Sequence, residues 1–308
     1  MLAAGAIAQD WPSKPIRMIV PYPPAGGTDI VARIVNDKLG PALGATIVVD
    51  NKGGAAGNVG TDLAAKSPPD GYTVLFTLSS HTINPKLYAK LPFDVERDFT
   101  AVSLAAMIPQ ILVAHPSVPV NSVQELIAYA KANPGKLNFA SVGIGSPGHI
   151  AGELFKLKTG TNMVHVPYKG GGPAVADTIG GQVQLLFVSM PAAWAHVKSG
   201  KLKALGVTSS KRSIAAPEVP TIGEQGVADY AVNSWYGAFV PANTPSAVVA
   251  KLNAAMVSAL QNPETKEKLL AQGAEATSSS PAELEALVRE ELKQWEYVIR
   301  EAKITPEG

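Results

Sequence analysis

Ile16-Arg-Met-Ile-Val-Pro-Tyr-Pro-Pro-Ala-Gly-Gly-Thr-Asp29 decides how the chain folds. Ile16 to Val20 is a short apolar run with β-branched members, the mark of a buried strand. Pro21, Pro23 and Pro24 forbid both a longer strand and an early helix start. Gly26 and Gly27 carry no Cβ, so the backbone turns tightly and lies open. Thr28 is then expected to cap an amphipathic helix over 29–39, with Ile30, Val31, Ile34, Val35 and Leu39 apolar and Gly40 as its stop. A strand, a bare glycine turn and a helix N-terminus together present free N–H groups and the positive end of a dipole to an anion. The turn is not a Walker A loop, because no Gly-Lys-Ser/Thr follows, nor is it a Gly-x-Gly-x-x-Gly fingerprint. Taken locally, it fits an anion site and an ordinary strand-to-helix turn alike.

The same design returns downstream. A second strand is expected over 45–50, followed by the glycine-rich turn Asn51-Lys-Gly-Gly-Ala-Ala-Gly-Asn58 and a helix over 60–65. A third strand, 72–77, ends in a polar loop over 78–85. Three strands that end in polar or glycine-rich loops place ligand groups at the carboxyl edge of a parallel sheet. Alternation of strand and helix implies a parallel or mixed sheet with helices on both faces. The apolar runs 101–107 and 110–114, separated by Pro109, read as a crossing into a second lobe. There a helix over 122–132 is capped by Ser122. A strand over 138–142 then feeds Gly143-Ile-Gly-Ser-Pro-Gly-His149 and a helix through Lys158. A strand over 164–167 leads to Tyr168-Lys-Gly-Gly-Gly172, which opens a helix over 173–179. Two more strands, 183–188 ending at Ser189 and 202–208, precede a return crossing at 232–241. Helices over 246–261 and from 282 to about 302 close the chain, the latter a lid or strut against the first lobe.

At 308 residues the chain is long enough for two domains and a substantial core. A formal net charge of +1 gives no reason to expect nucleic acid or an anionic membrane as partner. Cysteine is absent, which excludes disulfides, thiolate metal sites and cysteine nucleophiles, and which fits an oxidising compartment. Residues 1–10 read as the tail of a secretory signal with Ala6-Ile7-Ala8 as the small-x-small cleavage pattern, or else as a short disordered alanine-rich terminus. The basic n-region and most of the apolar h-region are missing from this signal. No apolar run approaches the roughly 20 residues of a membrane span, so a soluble mature protein without membrane insertion is expected.

The five histidines (His81, His115, His149, His165 and His196) show no His-x-x-x-His or Glu-x-x-His spacing, so no zinc site is expected. Gly143-Ile-Gly-Ser-Pro-Gly only superficially resembles a nucleophile elbow and would put proline after the serine. Asp29 sits where a helix dipole stabilises a carboxylate, a structural role. His149 reads equally as a ligand contact and as a first-turn residue packed on the sheet. Tyr22 and Tyr168, each beside a glycine-bearing loop, shape a pocket or pack in the core. Trp235 and Tyr236 read as hinge-region core, Trp194 and Trp295 as helix packing, and Lys169 as solvated. These are recognition groups without an acid/base pair.

A set of motifs carries a resemblance. Val20-Pro-Tyr-Pro-Pro-Ala-Gly-Gly-Thr-Asp29, Val49-Asp-Asn-Lys-Gly-Gly-Ala-Ala-Gly-Asn-Val-Gly60, Pro69-Asp-Gly-Tyr-Thr73 and Ile83-Asn-Pro85 stand in the first half. Gly148-His-Ile-Ala-Gly-Glu-Leu-Phe155, Val166-Pro-Tyr-Lys-Gly-Gly-Gly-Pro-Ala174, Gly200-Lys-Leu-Lys-Ala-Leu-Gly-Val-Thr208 and Val219-Pro-Thr221 follow in order. Together, from about Trp11 to the C-terminus, they resemble the Bug-type receptors, the substrate-binding proteins of tripartite tricarboxylate transporters. The resemblance implies an α/β, two-lobed periplasmic-binding-protein architecture of the Venus-flytrap kind (type II), with a mixed sheet in each lobe. Lobe 1 is expected over 11–107 and 233–308, lobe 2 over 108–232, with the ligand cleft between them. It implies a periplasmic monomer without cofactor or metal that captures a small organic acid for membrane transporter subunits. A carboxylate would be held by backbone amides and waters at Tyr22, Ala25, Gly26, Gly27 and Thr28 from one lobe and Gly143, Gly145, Ser146 and His149 from the other. Further contacts would come from Ser79, Ser80, His81 and Tyr168. One position departs from the pattern. Amino-acid-binding members place an aspartate where this chain has Ser189, which points to a plain carboxylate, aliphatic or aromatic, instead of an amino acid. A receptor feeding a signalling system, and an α/β enzyme acting on a carboxylated substrate, are the alternatives.

Overall fold

The computed structural model describes residues 11–301 and 304–305, so the expected signal remnant over 1–10 lies outside the described residues. Strand β1 (Ile16–Val20) forms where its apolar run predicts, with Ile16, Met18, Ile19 and Val20 fully buried. It is flanked by two parallel neighbours, β2 (Ile47–Asn51) and β3 (Thr73–Leu78), which is why burial runs on without alternation. Helix α1 (Gly27–Leu43) links β1 to β2, a 3-10 turn at Ala55–Gly57 and α2 (Asn58–Ala65) lead to β3, and α3 (Ser80–Leu87) follows it. Beyond β4 (Phe99–Ala114) come α4 (Val123–Ala132), β5 (Asn138–Ser141), α5 (Pro147–Thr159), β6 (Val164–Pro167) and α6 (Gly171–Ile179). Then β7 (Leu185–Ser189), α7 (Met190–Lys198) and β8 (Lys203–Val207) complete that group. Strand β9 (Asn233–Pro241) returns the chain to α8 (Ser246–Gln261), α9 (Pro263–Ala271), β10 (Glu275–Ala276) and α10 (Pro281–Glu301).

The strands follow the path β2-β1-β3-β9-β4-β7-β5-β6, with β8 and β10 also on β4. They form one path because β4 belongs to two groups. Its residues from Phe99 to Pro109 pair antiparallel with β9, and those from Gln110 to Ala114 with β7. The expected division into two apolar runs at Pro109 is therefore corrected to one strand of 16 residues. Pro109 stands at the last rung with β9, opposite Asn233, where the strand exchanges one neighbour for the other and a missing N–H breaks no interior ladder.

Helix starts and stops differ from expectation in two places. Thr28 is not the cap of α1. Gly26 takes that position in extended geometry, without a side-chain bond, and Thr28 lies inside the first turn. Gly40 is not the stop either. A Cβ there would stand 3.0 Å from the Ala45 carbonyl oxygen, so it serves close approach, and Gly44 at φ 67° ends the helix. The stretch 78–85 is a helix from Ser80 onward, not a loop. The Ser79 carbonyl accepts the N–H groups of Thr82 and Ile83, and the side chains of Ser79, Thr82 and Asn84 find partners in the interior.

One core cluster joins Val20, Tyr22 and Val35 to Val188, Met190 and Leu202 of the other strand group. On the opposite face Leu284, Val288 and Leu292 of α10 pack on Leu75, Trp235 and Phe239, as a strut would.

Candidate functional site

The carboxyl ends of β1, β3 and β7 and the loops beyond β5 and β6 meet at one cleft. Its lining is Tyr22, Gly26, Gly27, Thr28, Leu78, Gln110, Val142, Pro147, Gly171 and Ser189. Four helices begin on it: α1 at Gly27, α5 at Pro147, α6 at Gly171, and α7 immediately after its cap Ser189. Each N-terminus brings about half a positive charge and N–H groups that have no partner within their own helix. In α1 the first internal bond runs from Ile30 N–H to Gly26 O (3.0 Å), so the N–H groups of Gly27, Thr28 and Asp29 precede it. Among the described residues, no lysine, arginine, aspartate or glutamate is in the lining. Such a site suits an anion with planar oxygens, held by dipoles and hydrogen bonds without a full countercharge.

The loop that opens α1 is fastened from below. Asp29 is buried, and its carboxylate accepts Ala25 N–H (3.0 Å), Asn51 Nδ2 (3.0 Å) and Arg33 Nε (3.0 Å). Burial pushes its pKa up, but the Arg33, Ala25 and Asn51 hydrogen bonds outweigh that and hold it below the usual carboxylate range. Asn51 also donates to Tyr22 O (2.9 Å), tying the end of β2 to the end of β1. Ala25 therefore has its N–H engaged and stands exposed on the rim at φ 61°. The Tyr22 hydroxyl donates to Ala56 O (2.9 Å), and burial raises its pKa.

Across the cleft, Ser146 caps α5 by accepting His149 N–H (3.2 Å). His149 Nδ1 in turn accepts Gly145 N–H (3.3 Å), and its ring stacks on His165 at 4.3 Å between centroids. Burial holds the His149 pKa down at about 4, so it is a neutral first-turn residue that braces the loop. Gly143 and Gly145, at φ 129° and 84°, make the turn itself, while Val142 and Pro147 supply its lining. Ser141 Oγ lies 2.7 Å from His165 Nε2, but this serine is fully buried and spends its hydroxyl on Gly143, so the pair is no nucleophile and base.

The remaining sequence-predicted residues are dispersed. Ser79 Oγ pairs with Ser234 Oγ (2.9 Å), and Ser80 is buried near the Tyr22 hydroxyl. His81 is interior, with neither ring nitrogen bonded, between Phe99 and Phe239 at 5.1 and 4.5 Å, and burial holds its pKa down at about 3. Tyr168 donates to Asp177 Oδ2 (2.7 Å) off the lining; burial and that carboxylate push its pKa up to about 12. Ser189 does line the cleft and accepts the Tyr236 hydroxyl (2.9 Å). A Cβ on Gly27 would collide with Ser189 Oγ and stand 2.5 Å from Tyr236 Oη, so this hydroxyl pair rests on the first residue of α1.

Gly171, Gln110 and Tyr236 belong to this site and were not singled out as ligand groups from the sequence. Gln110 had a signal, a lone amide in an apolar strand, and Gly171 another, a glycine triplet ahead of a helix like the one before α1. The cavity left at the cleft is about 10 Å³, room for about one water. Larger cavities of about 200 and 290 Å³ lie beside 209–215 and 85–96, where no helix N-termini converge.

The chain matches the family profile described as tripartite tricarboxylate transporter family receptor over residues 31–304. It is 39% identical to protein BugT of Bordetella pertussis over 302 residues, 97% of this chain and 93% of that protein. The structure of the periplasmic binding protein BugD superposes with a TM-score of 0.93 at 35% identity, covering 96% of this chain and 99% of the other. Rpa4515 of R. palustris, solved with adipate, gives 0.94 at 36% identity, covering 96% and 100%. MatC (Rpa3494) from Rhodopseudomonas palustris, solved with bound malate, gives 0.89 at 32% identity, covering 94% and 100%. The fold is accordingly the two-lobed α/β architecture of periplasmic binding proteins.

Proposed function

The chain belongs to the tripartite tricarboxylate transporter receptor family, a family of transport receptors and not of enzymes, and from that premise we propose that it captures a small organic carboxylate in the periplasm and delivers it to membrane transporter subunits. The observation that carries this reading is the convergence of four helix N-termini on a cleft without a charged side chain. Lobe 1 comprises residues 11–107 and 233–308, lobe 2 residues 108–232, and the chain crosses where β4 passes Pro109 and where β9 begins at Asn233. The ligand carboxylate sits at Gly27 and Thr28 of lobe 1, and Gly171 and Ser189 of lobe 2 reach it on closure. Gln110, from the shared strand, offers an amide to the rest of the ligand. Binding and closing are thus one event.

The class of ligand follows from what surrounds it. An ammonium group is matched best by a carboxylate, and the lining has none; its hydroxyls and one amide are neutral, and its backbone N–H groups repel a cation. The ligand is therefore a mono- or dicarboxylic acid and not an amino acid. The adipate and malate held by similar proteins support that choice. The receptor works as a monomer without cofactor or metal.

A thermal-shift screen tests the reading, because a ligand of the folded state raises the melting temperature by mass action. Adipate, malate, simple monocarboxylates and amino acids form the panel, followed by calorimetry on the positives. Carboxylates are expected to raise the midpoint and amino acids to leave it unchanged, with or without chelator. A panel in which only amino acids or sugars stabilise the protein overturns the reading.

A further inference from the structure

We propose that Gly170, which is outside the cleft lining, is the residue that lets the two lobes shut, by leaving space for the ring of Pro23; this rests on the two-lobed receptor reading above. Pro23 belongs to the β1–α1 loop of lobe 1, and Gly170 precedes α6 in lobe 2. A Cβ on Gly170 would overlap Pro23 Cδ and lie 2.9 Å from its Cγ. A proline ring is fixed to its own backbone and cannot swing aside as a long side chain does. Behind the ring stands Gly53, where a Cβ would lie 2.8 Å from the same Cδ. Pro23 is thus seated between two bare Cα atoms, one from each lobe.

The conformation of Gly170 does not itself demand glycine. Its φ of 160° and ψ of 177° are extended backbone that other residues adopt. The demand comes from across the lobes and exists only when they are closed. The seam continues on either side in the same manner. A Cβ on Gly172 would stand 3.1 Å from Pro24 O, and one on Gly26 would stand 3.5 Å from Gly171 N. Main chain meets main chain along this line, and one methyl group at its tightest point holds the lobes ajar. The ligand site stays chemically intact but is never sealed, so the expected defect is fast release.

The test is Gly170→Ala, alone and combined with Pro23→Ala. The native chain has no cysteine. Spin labels on cysteines replacing Val48 on β2 and Val164 on β6, both well exposed and on edge strands of opposite lobes, therefore report the opening directly. With saturating adipate the parent is expected to show one short inter-label distance. Gly170→Ala is expected to fold with an unchanged circular dichroism spectrum, keep a longer distance, and lose affinity by about tenfold or more through a faster off-rate. Pro23→Ala in the same chain is expected to bring both back. Full closure and unchanged affinity in Gly170→Ala, or no rescue by Pro23→Ala, overturns the inference. A parent that binds no carboxylate overturns the ligand reading instead, and the label distances of the ligand-free proteins then decide. Closed parent with opened Gly170→Ala supports the inference, and equal distances refute it.

Discussion

Gly27 cannot accept a side chain, since even a methyl group meets the Ser189 hydroxyl at the end of β7. Gly27→Val is therefore expected to abolish carboxylate binding in calorimetry while α1 still forms by circular dichroism. Contact, not dihedral strain, is the cause, because neither Gly26 nor Gly27 has a positive φ. His81 makes the opposite case. Both of its ring nitrogens are buried without a partner, which costs stability, so His81→Leu is expected to stabilise by about 1 kcal/mol in urea unfolding and to leave ligand affinity unchanged. A lower urea midpoint, or weaker binding, would return His81 to a functional role. Ser79, Ser80 and His81 were legible in the sequence as polar and as the end of a strand. That they turn inward was not, because their partners Ser234 and Phe239 lie more than 150 residues away. Glycine loops announced the cleft; which glycine touches which facing loop depends on tertiary contacts alone.

Elements with local signals were readable, and those defined by distant contacts were not. Strand β1 and helix α8 fall where their apolar periods put them, and Ser122 caps α4 by accepting Glu125 N–H (3.1 Å). Helix α3 was hidden by Pro85, and the continuity of β4 by Pro109, two prolines whose missing N–H the fold tolerates. Helix α10 brings a carboxylate to these same pieces. Glu291 accepts the Thr82 hydroxyl of α3 (2.6 Å) and the Trp235 indole of β9 (3.0 Å). Burial raises its pKa despite those bonds and those from Trp295, and Glu290 adds to the effect. The folded state therefore binds the proton more tightly than the unfolded one. Stability from this group is full below the ordinary carboxylate value and declines as pH rises through the folded one. Glu291→Gln is expected to remove that decline, and Glu291→Ala to cost about 1–3 kcal/mol by leaving the buried Trp235 indole N–H unpaired, both read from urea midpoints across pH. An unaltered pH slope in Glu291→Gln would count against this account.

Across the whole molecule the two strand groups share β4 and a core cluster, so they are expected to unfold together, with coincident transitions by fluorescence and circular dichroism. His81, His149 and His165 lie buried in both, their pKa values held down at about 3, 4 and 3 by burial first of all. The unfolded chain takes up protons at these sites below about pH 6.5 and the folded chain does not. Their contribution is thus complete above that value and falls as pH drops toward 4, which a lower urea midpoint at pH 5 than at pH 7 will register. The charge-free cleft has a consequence for the surroundings in which such a receptor works. Helix dipoles act over little more than a turn, and a formal net charge of +1 gives the chain no large overall charge with which to steer an anion. On the carboxylate-receptor reading proposed above, an approaching anion therefore gains little from overall charge that dissolved ions could mask. The rate of capture is accordingly expected to change little between fresh water and brine.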